Sequence, residues 1–145
     1  MNILIVEDHE ELGRVLVESL VAIDHRAEPR DQIVAIWTAR DVETAAGILP
    51  RCSAVLCDGR FLATPEAKEP SENWMIIASH AARHGVRFIL YSADEDALRM
   101  ARLCGLAAFA KPTPVETLYA VLMGRGEGDP LESRVEDDLG APRAA

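Results

Sequence analysis

Five short apolar runs stand out along the chain: Ile3 to Val6, Ile33 to Trp37, Ala54 to Cys57, Phe88 to Tyr91 and Ala107 to Ala110. Each has the length of a buried strand. Between and after them apolar residues recur at steps of three and four, the spacing that lines one side of a helix. The first such segment carries Leu12, Val15, Leu16, Ser19, Leu20 and Ile23. The others group Val42, Ala45, Ala46 and Leu49; Trp74, Ile77, Ala78 and Ala81; Ala97, Met100, Ala101 and Cys104; and Val115, Leu118, Tyr119 and Leu122. Strict alternation of strand and helix predicts right-handed crossovers and a parallel sheet covered on both faces, an α/β fold. The last helix has the clearest start, with Thr113 as cap, Pro114 at the first helical position and Glu116 closing a capping box.

Two segments fall outside this rhythm. Gly59 to Glu72 contains Pro65, Pro70 and scattered charges, which predicts an irregular loop after the third strand. Residues 124–145 are rich in Gly, Pro and acid, with carboxylates at 127, 129, 132, 136, 137 and 138 against three arginines, and are expected to form a disordered tail. A chain of 145 residues has room for one proper core, so residues 1–123 are read as one domain.

Composition narrows the function. The net charge of −9 repels nucleic-acid phosphates, so the expected partners are proteins rather than DNA or RNA. Cys52, Cys57 and Cys104 have no metal-ligand spacing and read as reduced thiols in the core. The start, Met1-Asn2-Ile3-Leu4-Ile5-Val6-Glu7-Asp8, lacks a basic leader, and no apolar run approaches membrane-spanning length, so a cytoplasmic protein without membrane contact is expected.

In open parallel sheets ligands bind beyond the carboxyl ends of the strands, where the strand order reverses. Glu7 and Asp8 follow the first strand, Asp58 the third, Ser92 the fourth and Lys111 the fifth; only the second strand delivers no polar group. If the first and third strands are neighbours, three carboxylates converge, an arrangement that needs protons or a divalent cation to relieve it. Mg²⁺ suits an all-oxygen donor set of this kind, whereas zinc would want His or Cys. A carboxylate there can attack phosphorus if the charge on the phosphoryl oxygens is stabilised. Asp58 is the candidate nucleophile, Lys111 the point charge and Ser92 the hydroxyl donor. Each residue alone has a plainer reading: Glu7 and Asp8 as favourable charges at a helix start, Asp58 as a turn residue, Lys111 as a solvated loop lysine. His80 and His84, four apart, read as a solvated helix face, His9 as a helix-start residue or site rim, Trp37 and Trp74 as core or half-buried, and Arg83, Arg87, Arg99 and Arg102 as surface charge.

Val6-Glu7-Asp8, a lone Asp58 ending the third strand, Tyr91-Ser92-Ala93 and Lys111-Pro112 together resemble the receiver domains of response regulators, over residues 1 to about 123. The resemblance implies a doubly wound, flavodoxin-like sheet of order 2-1-3-4-5 and a phosphorylation switch rather than an enzyme. It implies Asp8 and Asp58 as direct Mg²⁺ ligands, Glu7 through water, the Arg60 carbonyl as a further ligand, and a cis Lys111-Pro112 peptide. The phosphoryl donor would be a histidine kinase or phosphotransfer protein. The output would be a downstream protein target, with a phosphorylation-dependent homodimer left open, and no effector domain is expected.

Two departures qualify the resemblance. Receivers usually carry proline four residues after the acceptor, where this chain has Leu62, and an aromatic three residues before the lysine, where it has Ala108. Phe109, one place later, points to the opposite side of the sheet and reads as core. These motivate a second reading, a pseudo-receiver that binds partners without phosphate. A third, a Mg²⁺-dependent phosphohydrolase, lacks the second aspartate such enzymes often use, since Arg60 stands there.

Overall fold

The computed structural model describes residues 1–125. In chain order the elements are β1 (Asn2–Val6), α1 (Glu10–Arg26), β2 (Ala35–Ala39), α2 (Val42–Ile48), a short 3-10 turn (Leu49–Arg51), β3 (Ala54–Cys57), α3 (Trp74–His84), β4 (Arg87–Ser92), α4 (Glu95–Leu103), β5 (Ala107–Ala110) and α5 (Val115–Leu122). All strand pairs are parallel, in the order β2-β1-β3-β4-β5, so the order reverses between β1 and β3. Side chains alternate across this sheet into two cores. Leu4, Val6, Val55, Cys57, Phe88, Leu90 and Ala108 pack against α2, α3 and α4. Ile3, Ile5, Ala54, Leu56, Ile89 and Phe109 pack against α1 and α5. Phe109 is therefore core, opposite in facing to Ala108.

Several expectations are corrected. β2 begins two residues late because the Asp24 carboxylate accepts the Gln32 and Ile33 N–H groups at 3.2 and 3.1 Å, taking that backbone out of the ladder. On α1 the inward stripe is Gly13, Leu16, Val17, Leu20, Ile23 and Asp24, while Leu12 and Val15 are exposed. A buried polar residue fixes that rotation: Asp24, 3% exposed, also accepts the Tyr119 hydroxyl at 2.7 Å. On α4, Leu98 faces inward with Ala97 and Ala101, whereas Met100 and Cys104 are exposed. Trp37 is exposed on the edge strand β2, and Trp74 is core.

The capping box of α5 does not form. Pro114 occupies the cap position, and the Thr113 hydroxyl donates to the Ala110 carbonyl instead. Arg87 and Arg102, expected as surface charge, donate to the Leu122 and Ala108 carbonyls at 3.0 Å. Residues 126–145 of the expected tail lie outside the described residues. Its first two residues pack on the domain: the Arg125 N–H donates to the Ala120 carbonyl, and its guanidinium lies over the Tyr119 ring.

The 59–72 loop is irregular but pinned. Phe61 is fully buried in the core beneath it, and its backbone pairs with Ser71. Asn73 donates to the Phe61 carbonyl at 2.8 Å. Leu62 donates its N–H to the Arg40 carbonyl at 3.2 Å and accepts from Val42 at 2.9 Å. Proline at position 62 would have no N–H to donate there, which accounts for the departure noted above.

Candidate functional site

The carboxyl ends of β1, β3, β4 and β5 bring their polar residues to one end of the sheet. The Asp58 N–H donates to the Val6 carbonyl at 2.9 Å and the Glu7 N–H to the Ala39 carbonyl at 2.9 Å, so both acidic residues continue the ladder as the strands end. One oxygen each from Glu7, Asp8 and Asp58 lies within 4.8 Å of the others. The Lys111 amine reaches this cluster from the far side of the reversal, 3.0 Å from Glu7 Oε1 and 3.3 Å from Asp58 Oδ1. The Lys111 backbone N–H donates to the Ser92 carbonyl at 2.9 Å, and the peptide to Pro112 is cis.

Charge dominates this site. Burial, and then the Asp58 charge, push the Glu7 carboxyl from its ordinary 4.5 to about 7, with Lys111 pulling in the opposite direction. Burial would lower the Lys111 amine, but the Asp58 and Glu7 charges outweigh it and hold the amine above its usual 10.5. Burial, with Asp58 and Glu7 adding to it, pushes the Cys57 thiol well up, so Cys57 stays a neutral core residue. A cluster of oxygen donors that repel one another, with no His or Cys ligand among them, fits a hard divalent cation.

Ser92 is 3% exposed, and its Oγ accepts the Asp94 N–H at 3.0 Å. Asp94 in turn caps α4, accepting the Asp96 and Ala97 N–H groups. Asp58 Oδ1 accepts the N–H of Gly59 at 2.7 Å. Arg60 is exposed on the loop that follows. His9 is the cap of α1, its Nδ1 accepting the Leu12 N–H.

Three neighbours have contacts at the site that the sequence does not announce. Arg40 donates through Nε to the Asp8 carbonyl at 3.0 Å. It directly follows β2, which ends two residues beyond the apolar run Ile33 to Trp37, so the second strand also delivers a polar group to this end of the sheet. Tyr91 lies under the Lys111 amine, 5.4 Å from ring centre to nitrogen, and accepts the Thr113 N–H through its hydroxyl. Gly59 lies against Ser92; only the three-dimensional approach of β3 and β4 reveals that contact.

No family model matches the chain, and no curated protein matches it in sequence. Solved structures do match in shape. The isolated REC domain of RcsB from Salmonella enterica serovar Typhimurium, in the presence of the phosphomimetic BeF3⁻, has a TM-score of 0.60 at 16% identity, covering 92% of this chain and 96% of that one. An RcsB response regulator from Salmonella typhimurium has a TM-score of 0.62 at 14% identity, covering 98% and 68%. A de novo designed Rossmann 2x3 protein reaches 0.54 at 14% identity, covering 88% and 93%, so shape at this level carries no function with it. With its five parallel strands in the order 2-1-3-4-5 and five helices, the chain has the fold of response-regulator receiver domains.

Proposed function

We propose that this chain works as a phosphorylation switch: Asp58 accepts a phosphoryl group with Mg²⁺ bound, and the modified domain changes its affinity for a protein partner. The observation that carries this reading is the meeting of Glu7, Asp8, Asp58 and the Lys111 amine at the point where the sheet order reverses. Asp8 and Asp58 would hold the ion directly, Glu7 through water, and the Arg60 carbonyl would complete the protein's share. Bound there, Mg²⁺ neutralises charge on the phosphoryl oxygens.

The residues of the chain do the rest. A carboxylate oxygen of Asp58 forms a bond to phosphorus as the P–N bond of a phosphohistidine donor breaks, and the electron pair leaves on the imidazole nitrogen. The Lys111 amine exchanges its contact with Asp58 for one to a phosphoryl oxygen, and the Ser92 hydroxyl donates a hydrogen bond to another. The donor is a histidine kinase or phosphotransfer protein, in the cytoplasm. The chain is a switch and not an enzyme, because Arg60 stands where a phosphohydrolase would carry its acid-base aspartate.

Ala108 favours a second reading. It is fully buried at the usual aromatic switch position, which suits a module that binds partners without phosphate. Incubation with Mg²⁺ and acetyl phosphate, followed by intact mass, separates the two. A single added phosphoryl that Asp58→Asn abolishes supports the switch; no label from any donor, with no Mg²⁺ binding, overturns it.

A further inference from the structure

Gly59 directly follows Asp58, yet its backbone does not require glycine, since the positive-φ glycines are Gly85, Gly105 and Gly124. Space requires it. A Cβ at position 59 would stand 2.7 Å from Ser92 Oγ, 3.3 Å from Ser92 Cβ and 3.8 Å from Ala97 Cβ. The first of these is closer than real Cβ atoms come to anything, so one of the two residues would have to shift. The backbone of residue 59 is tied to Asp58 Oδ1 by its N–H, so the group that gives way is the Ser92 hydroxyl, a side-chain end held by the Asp94 N–H at the start of α4.

We propose that Gly59 is a positioning residue: its missing side chain lets the Ser92 hydroxyl lie against the residue that follows Asp58, within reach of a phosphoryl group there. This deepens the switch reading and rests on it. Gly59 acts at two points. Its N–H holds Asp58 Oδ1, and its bare Cα gives Ser92 the room to hold its hydroxyl beside the acceptor. A side chain at 59 would leave the carboxylates untouched and displace the hydroxyl.

The test is a double-mutant cycle on the full chain, reading acetyl phosphate labelling, Mg²⁺ binding and the amide spectrum. Gly59→Ala should slow labelling by about tenfold or more, as loss of one aligned donor does. Mg²⁺ affinity should stay within about twofold, the scale of independent sites. The Asp94 amide resonance should move, because its acceptor has moved. In a Ser92→Ala background, where the oxygen to be displaced is absent, Gly59→Ala should slow labelling by less than about twofold further. Additive slowing in the double variant, or an unmoved Asp94 resonance in Gly59→Ala, overturns the proposal. If the parent protein takes no label the switch reading fails, while the Asp94 resonance still decides whether Gly59 positions Ser92.

Discussion

Replacing Glu7 with glutamine should change how stability depends on pH. The Glu7 side chain is 5% exposed and shares its pocket with Asp58 and Asp8. In the native protein its carboxyl titrates at about 7, raised by burial and then by the Asp58 charge, against 4.5 for the ordinary group. Between those values the native state keeps a proton that the unfolded chain has released, so stability falls as pH rises across that window. The contribution is fully present below 4.5 and is lost as pH passes through about 7. A displacement of that size corresponds to about 3 kcal/mol, with the Lys111 attraction already included. Glutamine cannot ionise, so the variant should lack this slope. Urea unfolding in EDTA, followed by the fluorescence of the buried Trp74, should show the parent losing about 3 kcal/mol relative to Glu7→Gln between pH 4.5 and 8. Added Mg²⁺ should return most of that loss at pH 8. Parallel pH curves for the two proteins in EDTA would refute the reasoning.

Three further outcomes are expected. Lys111→Ala should bind Mg²⁺ at least as tightly as the parent, since the amine no longer competes for Glu7 and Asp58, yet phosphorylation should no longer alter partner affinity; weaker calorimetric Mg²⁺ binding would count against this role. Tyr119→Phe removes a buried hydroxyl donor from a carboxylate that keeps two backbone donors, and should cost about 1.5 kcal/mol in urea unfolding. Leu62→Pro deletes the N–H that joins the 59–72 loop to Arg40, and should lower Tm despite restoring the residue usual in receivers; an unchanged or raised Tm would argue that this hydrogen bond is dispensable.

Much of this architecture was legible in the sequence because strands buried on both faces are marked by apolar runs. β3 and β5 begin and end where those runs do, and Asp58 and Lys111 follow them directly. Legibility failed where a polar side chain made the decision. Asp24 turned α1, delayed β2 and thereby moved Arg40 to the site, and a count of apolar positions has no way to register a buried carboxylate satisfied by two amides and a phenol. The cap of α5 failed because the chain enters the helix one residue later: Pro114 takes the cap position, and Thr113, placed before it, turns its hydroxyl back to donate to the Ala110 carbonyl. Contacts between strand ends far apart in sequence, Gly59 with Ser92 and Tyr91 with Lys111, depend on register and have no local signature.

If Asp58 is phosphorylated as proposed, the same contacts offer a route for the change that needs no aromatic switch. Ala108 leaves no ring to rotate; its carbonyl instead accepts the Arg102 guanidinium of α4, whose buried Nε has no hydrogen-bond partner among the described residues. Near its C-terminal end α4 packs on β5 and donates to it through an incompletely satisfied cation. The other end is tied to the acceptor through Gly59, the Ser92 hydroxyl and the Asp94 amide. A phosphoryl group that draws the Ser92 hydroxyl toward itself pulls on the amide of the residue capping α4. At the helix's far end the unpaired, buried Arg102 Nε lowers the cost of rearrangement. Under the proposed switch, the α4 helix, rather than a side chain on β5, is the element whose position phosphorylation would bias.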